Sequence, residues 1–369
     1  MTVISIVDDK NDTAKNITVK IIDTVKIIDN IVYINNDINQ AIKNNEPIEE
    51  FLNIIICISN PCQYKRRFIL AKEFIERITK ENKKDVRLHV VELVYANDDF
   101  HVTEKDNPRH LQIRTDTAPW WAKENLWNLG VKILPPDWKC VAFCDADIEF
   151  DSPHFAIDTL KLLNGSRDII QMHTHCLDLD LDLNPMSIFT SFGYQYSQQR
   201  KYSKNGIHFF HPGFNVAMTR QAYEKMGNVY QSSILGSGDH NLMLSLIGYG
   251  VNSLNVKTSP GYKKSVQDFE DKCKGLRVGY INGIIRHYFH GSKKNRRYIE
   301  RWKVLVDSEF DPFLHITIND QGLQIPSKDC PKQLLDDIML YFVTRNEDEY
   351  YLEYIEKNKE LSLSALNLK

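Results

Sequence analysis

The sequence predicts a protein of the α/β class, with a mixed, mainly parallel sheet flanked by helices. Three near-continuous apolar runs, at 53–59, 87–95 and 139–150, are typical of parallel strands that are buried on both faces. Segments of helical periodicity separate these runs, and this alternation of strand and helix favours a doubly wound sheet. The third run contains two aspartates, as expected where a strand leaves the sheet and a ligand can bind.

The predicted elements have recognisable ends. The first strand stops at Asn60-Pro61, which breaks the run before a helix begins. Thr117 can cap the second helix and Gly130 can close it. The second half of the chain is less regular, apart from a helix predicted over 241–247. In chain order, the core of the prediction is strand 53–59, helix 64–79, strand 87–95, helix 117–130 and strand 139–150.

The two ends of the chain differ from this core. Residues 1–50 contain short Ile/Val runs broken by Asn and Asp, which predict a small β-rich N-terminal extension. Residues 51–305 form the predicted main domain. The tail over 306–369 is predicted to be helical, with one helix over 332–344 and an acidic, Tyr-rich helix over 346–360.

Composition and charge argue against several classes of protein. The 369 residues carry a formal net charge of −3, so no nucleic acid or other polyanion is indicated as a partner. No apolar run is long enough to span a bilayer, and residues 1–9 lack the features of a signal peptide. The seven cysteines are scattered without a C-x-x-C pair, which argues against a zinc site and favours a reducing, cytoplasmic setting.

Two carboxylates, Asp145 and Asp147, follow the apolar run 141–144. Charged residues are tolerated in a buried strand only where it leaves the sheet, and ligands bind at that edge of open α/β sheets. Oxygen ligands placed there suit a hard divalent cation that carries phosphates. The pattern therefore favours a metal–nucleotide site over two solvated aspartates at a strand end.

The segment 236–241 (GSGDHN) places Asp239 at the start of the helix predicted over 241–247. Two roles remain open for this carboxylate. It can be the N-cap of the helix, which is a common and sufficient explanation. It can also be a general base that takes a proton from the hydroxyl of a bound sugar.

A histidine pair, His287 and His290, lies in the segment HYFHG, and either imidazole could complete a metal shell beside a carboxylate. The basic run that follows could neutralise a diphosphate or form a solvated face. Asp178, Asp180 and Asp182 alternate with leucines, which is more typical of a strand with one wet face than of a metal site. The basic run consists of Lys293, Lys294, Arg296 and Arg297.

Taken together and in this order, these segments resemble glycosyltransferases of the GT-A (Rossmann-like) fold that use nucleotide-sugars. Residues 122–130 are similar to the helix before the D-x-D strand, and 143–150 to that strand. Residues 213–215 and 236–239 resemble the acceptor-side loop and acidic motif of Golgi β-galactosyltransferases, and 285–295 resemble their metal–histidine segment. The H-x-x-H-G pattern is also similar to a group of viral and bacterial glycosyltransferases. The resemblance covers about residues 52–305.

The resemblance implies roles for single residues. Asp147 matches the D-x-D carboxylate that binds manganese, and Asp145 matches its partner near the ribose and a further metal ligand. His290 is preferred to His287 as the last metal ligand, because Gly291 lets the chain turn close to the metal. Asp239 matches the catalytic base. The donor-side matches are Lys123, Lys293, Asn60 and Arg66.

One departure concerns the acidic motif, because Gly238 stands where the galactosyltransferases have a glutamate. This departure puts the contacts to the acceptor in doubt more than it does the base. The aromatic segment 189–215 could contribute to an acceptor site, although such a cluster is more often part of a core. The identities of donor sugar and acceptor leave no short motif.

The expected activity is transfer of a hexose-type sugar from a nucleotide-sugar, a UDP-sugar, to a hydroxyl of a glycan or glycoconjugate. Inversion and dependence on Mn²⁺ or Mg²⁺ are expected, and so is a location in the cytoplasm, that of the host if the protein is viral. Two other classes stay open. One is a metal-dependent nucleotidyltransferase, against which the absence of glycine after Ser59-Asn60 counts. The other is a catalytically inactive, sugar-binding domain on the same scaffold.

Overall fold

The computed structural model of the protein describes residues 38–82, 84–203, 208–297, 300–351 and 353–358. In chain order its strands are β1 (Leu52–Ser59), β2 (Val86–Tyr95), β3 (His110–Thr115), β4 (Cys140–Cys144), β5 (Ile148–Phe150), β6 (Ile169–Gln171), β7 (His175–Leu179), β8 (Pro185–Thr190), β9 (Asn215–Thr219), β10 (Val278–Tyr280), β11 (Ile284–His287), β12 (Ile316–Ile318) and β13 (Gln324–Pro326).

The helices in the same ranges are α1 (38–44), α2 (Lys65–Glu81), α3 (Lys123–Val131), α4 (Phe155–Leu162), α5 (Phe192–Ser197), α6 (Arg220–Met226), α7 (Gly238–Leu246), α8 (Gly250–Ser253), α9 (Pro260–Cys273), α10 (Glu300–Asp307), α11 (Pro312–His315), α12 (Lys332–Arg345) and α13 (353–358). A 3₁₀ turn covers Lys293–Arg296.

A seven-stranded sheet with the order β10–β6–β9–β4–β1–β2–β3 forms the centre of the protein. Strands β4, β1, β2 and β3 run parallel, and β10 is parallel to β6. Only β9 runs antiparallel to its neighbours β4 and β6. The prediction of a mixed, mainly parallel sheet flanked by helices is confirmed.

Both faces of this sheet are buried, which explains the continuous apolar runs. In β1, Ile54 and Ile56 point to a core that includes Phe74 of α2. Ile55 points to the opposite core, which includes Leu126 of α3. A strand that alternates between two apolar layers needs apolar residues at every position, so its sequence loses the period of two.

The strand predicted over 139–150 is two strands in two different sheets. The amide of Asp145 donates to the carbonyl of Phe214 (2.8 Å), which extends the pairing of β4 with β9 by one residue. The amide of Tyr288 then donates to the carbonyl of Asp147 (2.9 Å), beside the pairing of β5 with β11. The chain therefore passes from the central sheet into a four-stranded sheet, ordered β5–β11–β7–β8, within the D-x-D segment.

The helix predicted from Thr117 begins later, as α3, because two tryptophans fix the preceding chain in a non-helical path. The indole of Trp120 is buried and donates to the carbonyl of Gln324 (3.2 Å). The amide of Trp121 donates to the carbonyl of Ile234 (2.8 Å). These two hydrogen bonds join the segment before α3 to residues that are distant in the sequence.

The described parts of the two ends are largely helical. In the extension, 38–50 contains α1 and no strand, while 1–37 of the β-rich prediction lies outside the described residues. Helix α12 matches the prediction over 332–344, and α13 lies within that over 346–360, whose last residues are not described. The tail also contains the antiparallel hairpin β12–β13. Among the described helices, none has the length and apolar character needed to cross a membrane.

Candidate active site

A cavity of about 590 Å³ lies at the carboxyl ends of β1 and β4, beside the four-stranded sheet. Its acidic and basic lining residues are equal in number, so its wall can hold a cation and an anion side by side. The acidic residues are Glu124, Asp145, Asp147, Asp178, Asp239 and Glu347. The basic residues are Arg67, Lys123, Lys293, Arg296, Arg301 and Arg345.

Asp147, His287 and His290 form a cluster whose potential ligand atoms lie within 4.8 Å of one another. His290 Nε2 is 3.0 Å from Asp147 Oδ2 and 3.3 Å from His287 Nε2. Two donor atoms bound to one ion at about 2.1 Å each lie roughly 3 Å apart, so this spacing fits one divalent ion. A carboxylate with two imidazoles suits Mn²⁺ better than Mg²⁺, which prefers oxygen ligands.

One further observation supports a metal in this cluster. Asp147 Oδ1 is buried and has no hydrogen-bond partner among the described residues, and it lies 3.8 Å from His287 Nε2. Buried polar atoms are nearly always satisfied, so an orphaned carboxylate oxygen beside two imidazoles is well explained by an ion. The residues present therefore fit a bound divalent metal.

Strand register brings the cluster together. Strand β11 pairs antiparallel with β5, which places His287 opposite Ile148, the residue after Asp147. On its other side β11 pairs parallel with β7, which places His287 opposite Asp178. His290 follows from the turn after β11. The sequence reading favoured His290 over His287, whereas the structure brings both histidines to Asp147.

Asp178 holds the first of these histidines in place. Its side chain is 2% exposed, and its Oδ1 lies 2.6 Å from His287 Nδ1. Because the Nδ1–H group donates to this carboxylate, the Nε2 lone pair of His287 points to Asp147. Lys293 Nζ lies 2.5 Å from the other oxygen of Asp178. The prediction of a wet strand face is therefore wrong for Asp178.

The charge of Asp178 is stabilised from two sides. Burial alone would raise the pKa of this carboxyl, but the hydrogen bond and charge of His287, together with Lys293, lower it well below its usual range. Asp178 is therefore ionised at neutral pH and can fix the tautomer and the orientation of His287. The alternating Asp/Leu pattern gave no signal of this role.

We expect Asp178→Asn to weaken Mn²⁺ binding by about 10–100-fold, because the outer carboxylate orients the ligand His287 and increases its basicity. Isothermal titration with Mn²⁺ measures the effect. Asp182→Asn is the matched control, since Asp182 is exposed in the turn that follows β7. Equal Mn²⁺ affinities for wild type and Asp178→Asn would contradict the supporting role of Asp178.

His290 has a partner from the tail. Glu347 is 1% exposed, and its Oε2 lies 3.6 Å from His290 Nδ1. Gly291 makes this approach possible: it has φ +88°, and a β-carbon there would lie 2.9 Å from the carbonyl oxygen of Asn346. The sequence reading linked Gly291 to a turn near the metal, but Glu347 carried no signal because it lies far along the chain.

Glu347 is also the anchor of two arginines that line the cavity. Arg67 Nε donates to Oε2 (2.9 Å), and Arg345 Nε donates to Oε1 (2.6 Å). Burial would raise the pKa of Glu347, but Arg67, Arg345 and His290 lower it well below its ordinary value. The carboxylate is therefore a fixed negative charge that orients one histidine and two guanidinium groups.

Asp147 is held in its ionised form. Burial opposes the charge, but the neighbouring His290, His287 and Arg296 outweigh this penalty and bring the pKa of Asp147 far below its usual value. Arg296 also donates from Nη2 to His290 Nε2 (2.8 Å). The metal cluster thus lies against a guanidinium group, next to the cavity.

Asp145 lies outside the three-residue cluster and pairs with Lys123. Lys123 Nζ donates to Asp145 Oδ1 (2.9 Å) from the first turn of α3. Burial opposes the charge of the ammonium group, but Asp145, Glu124 and Asp239 outweigh it and raise the pKa of Lys123. The geometry suits the ribose-side role predicted for Asp145 better than the direct metal role.

Asp239 is the second residue of α7 and lines the cavity, while Ser237 is the N-cap, so the N-cap role considered for Asp239 is wrong. Its Oδ1 accepts a hydrogen bond from the amide of His240 (2.8 Å), while Oδ2 faces Gly213, whose added β-carbon would lie 2.8 Å away. Burial would raise the pKa of Asp239, but Lys123, His211 and the His240 amide lower it. One oxygen thus serves the helix, and the carboxylate is ionised in the cavity.

Two predicted nucleotide-binding residues do not line the cavity. Asn60 fixes the turn before α2: its Nδ2 donates to the carbonyl of Tyr64 (2.9 Å), and its Oδ1 accepts from the amide of Tyr64 (3.0 Å). Arg66 Nε donates to the carbonyl of Phe289 (2.9 Å). The neighbouring Arg67 lines the cavity instead, because adjacent residues on a helix point in different directions.

The basic run after His290 divides in the same way. Lys293 and Arg296 line the cavity, whereas Lys294 and Arg297 are exposed and lie away from it. Lys293 also lies over the ring of Phe189, with Nζ 4.6 Å from its centroid. The sequence predicted Lys293 as a donor-side residue, and the structure places it beside Asp178 at the metal cluster.

Aromatic residues also line the cavity, some of them in contact with its charged groups. His211 stacks on Phe214 at 4.4 Å, and burial lowers its pKa to about 4, so this imidazole is neutral at pH 7. Phe192 and Phe210 line the cavity from within the core. Of the predicted aromatic segment, the residues that line the cavity are Phe189, Phe192, Tyr202, Phe209, Phe210, His211 and Phe214.

No protein-family model and no curated protein matches the chain. Solved structures similar to it include the catalytic domain of Drosophila β1,4-galactosyltransferase 7 in complex with xylobiose, at 12% identity and a TM-score of 0.37 over 76% of this chain and 96% of that one. A mutant of the same enzyme with manganese, UDP-Gal and xylobiose is similar at 11% identity and a TM-score of 0.37 over 75% and 95% of the two chains.

GalNAc-T7 with UDP, GalNAc and Mn²⁺ is similar at 10% identity and a TM-score of 0.39, over 70% of this chain and 48% of that one. These structures are all glycosyltransferases. Likeness at this level of identity and TM-score does not define an activity for this chain.

Proposed function

We propose that the protein is a metal-dependent glycosyltransferase that moves a hexose-type sugar from a UDP-sugar to a hydroxyl of a glycan or glycoconjugate, with inversion. One observation carries the proposal. A single cavity joins a histidine–carboxylate cluster that fits a divalent ion, a set of basic side chains, and a separate ionised carboxylate, Asp239. The choice of UDP and of hexose rests on the resemblance of the sequence segments.

The metal side of the cavity suits a diphosphate. Asp147, His287 and His290 would hold the ion, which when bound supplies Lewis-acid stabilisation of the leaving group. Binding at His290 Nε2 would displace the guanidinium of Arg296 from that nitrogen toward the cavity. Arg67 and Arg345, oriented by Glu347, line the same space. Guanidinium groups bind phosphate oxygens in charge-assisted pairs.

The part of the cavity at Asp239 suits proton transfer. Asp239 would accept the proton of the acceptor hydroxyl, which then attacks the anomeric carbon from the face opposite the diphosphate. Attack from that face in a single displacement inverts the configuration of the transferred sugar. The aromatic wall at Phe189 and Phe210 would exclude water, which otherwise hydrolyses the donor.

The proposed catalytic unit includes the tail. The sequence resemblance ends near residue 305, but Arg345 and Glu347 line the cavity, and Glu347 contacts His290. Tyr64 donates from its hydroxyl to the carbonyl of Phe342 (2.9 Å), which further joins the tail to the turn before α2. A truncation at 305 would remove part of the site.

Isothermal titration with UDP, GDP and dTDP, each with Mn²⁺ and with EDTA, tests the proposal. We expect UDP to bind in the presence of Mn²⁺ and to lose most of its affinity in EDTA, because an ion held by Asp147, His287 and His290 would offset the negative charge of the diphosphate. UDP-sugars that bind in this way are then tested for sugar transfer to an acceptor. Absence of binding by all three nucleotides to the folded protein would contradict the nucleotide-sugar premise.

A further inference from the structure

Glu124, the second residue of α3, is a buried carboxyl group that the proposed reaction does not use. It is 2% exposed and lines the cavity, and its Oε1 is fully buried without a hydrogen-bond partner among the described residues. A buried polar atom left unpaired costs about 1–3 kcal/mol of stability, so such an atom in a cavity wall points to a missing partner.

The position of Glu124 depends on Gly238. A β-carbon added to Gly238 would lie 2.2 Å from Cδ and 2.3 Å from Oε1 of Glu124. The carboxyl group therefore fills the space that a side chain at 238 would otherwise occupy, directly before Asp239.

The surroundings of Glu124 suit a hydroxyl ligand. Burial raises the pKa of Glu124 to about 7; Lys123 opposes this rise, and Asp239 adds to it. Near neutral pH the carboxyl can therefore both donate and accept a hydrogen bond. A sugar hydroxyl likewise both donates and accepts, and it adds no charge beside Lys123, Asp145 and Asp239.

We propose that Glu124 is a sugar-binding residue, whose carboxyl group hydrogen-bonds a hydroxyl of a sugar held next to Asp239. This inference rests on the proposed function. The hydroxyl can belong to the transferred sugar of the donor or to the acceptor sugar, since both must meet at Asp239. The two sources differ in which ligand loses affinity when Glu124 is removed.

Titrations of wild type and Glu124→Ala in the presence of Mn²⁺ test the inference. UDP is compared with UDP-galactose, UDP-glucose and UDP-N-acetylglucosamine, and methyl β-glycosides of xylose, glucose, galactose and N-acetylglucosamine are titrated onto the UDP-bound protein. We expect unchanged UDP affinity, because UDP carries no hexose. In Glu124→Ala we expect one of two affinities to fall by about 10-fold or more. One is the affinity for UDP-sugars relative to UDP, and the other is the affinity for the glycosides.

If only the affinity for UDP-sugars relative to UDP falls, the hydroxyl belongs to the donor. If only the affinity for the glycosides falls, it belongs to the acceptor. Wild-type affinities in Glu124→Ala for every ligand would overturn the inference, and so would the failure of the wild type to bind any hexose above the UDP level. Failure of wild type to bind UDP with Mn²⁺ would instead overturn the proposed function. Glu73→Ala, an exposed helix glutamate, is the matched control.

Two variants separate sugar binding from folding. Glu124→Gln keeps the size of the side chain, and its amide can still bond a hydroxyl, so a smaller loss is expected than for alanine. In Glu124→Ala/Gly238→Glu, a carboxyl group enters the vacated space from residue 238, and we expect part of the sugar affinity to return. A double variant that is folded but binds the sugar no more tightly than Glu124→Ala would contradict the claim that a carboxyl group from residue 238 can replace that of Glu124.

Discussion

Replacement of Asp147 by alanine is expected to abolish Mn²⁺-dependent UDP binding and to lower sugar transfer by at least about 10²–10³-fold. Asp147 supplies the only carboxylate of the described metal cluster, beside His287 and His290. Without it, two imidazoles would have to hold a divalent ion next to the guanidinium of Arg296. Lewis-acid stabilisation of the leaving group accounts for several kcal/mol, which corresponds to this range of rates.

Titration with UDP and Mn²⁺, together with an assay of UDP release, measures both effects. Asp151→Ala is the matched control: Asp151 lies just beyond β5, pairs with Arg286 and is outside the cavity. We expect the control to keep Mn²⁺-dependent binding and activity. Full activity of Asp147→Ala would remove the metal cluster from the mechanism, while circular dichroism shows whether the variant is folded.

The central sheet could be predicted from the sequence because strands buried on both faces consist of continuous apolar runs. The six apolar and cysteine residues of β1, 52 and 54–58, each contact one of two apolar cores, so no exposed position interrupts the apolar run. The same feature led to a wrong prediction at 139–150, where one strand was expected and two are present. Ile148 and Phe150 continue the apolar pattern, but they belong to a different sheet. Apolar character records burial and does not record which strands pair.

The sequence predicted only those residues of the candidate site that lie within a recognisable short motif. Asp147, Asp239 and the two histidines stand in short segments of distinctive composition. Asp178 does not, because its alternation with leucines is a common strand pattern; its burial follows from the pairing of β7 with β11.

Glu347 and Glu124 carried even less signal. Glu347 reaches His290 through the packing of the tail against Gly291, which no local pattern reports. Glu124 is a helix residue whose carboxyl group fits only because Gly238, far along the chain, has no side chain. Such roles depend on contacts between segments that are distant in sequence, and one sequence by itself contains no record of those contacts.

Asp239→Asn is expected to keep Mn²⁺-dependent UDP binding and to lose sugar transfer by on the order of 10²-fold or more, the range typical of a lost general base. The structure makes this substitution selective. The oxygen that accepts from the His240 amide is retained in asparagine, so this hydrogen bond in the first turn of α7 should stay intact. What disappears is the negative charge that can accept a proton.

The comparison of Asp239→Asn with Asp239→Ala therefore separates a catalytic role of Asp239 from a contribution to the stability of α7. If Asp239 only stabilises the first turn of α7, the asparagine variant keeps its activity, and only the alanine variant loses about 1 kcal/mol of unfolding free energy with the hydrogen bond to the His240 amide. If Asp239 is the base, both variants lose transfer while thermal unfolding of the asparagine variant matches wild type. Because one oxygen serves the helix and the other faces Gly213, the two roles are compatible, and activity and stability must be measured on the same preparations.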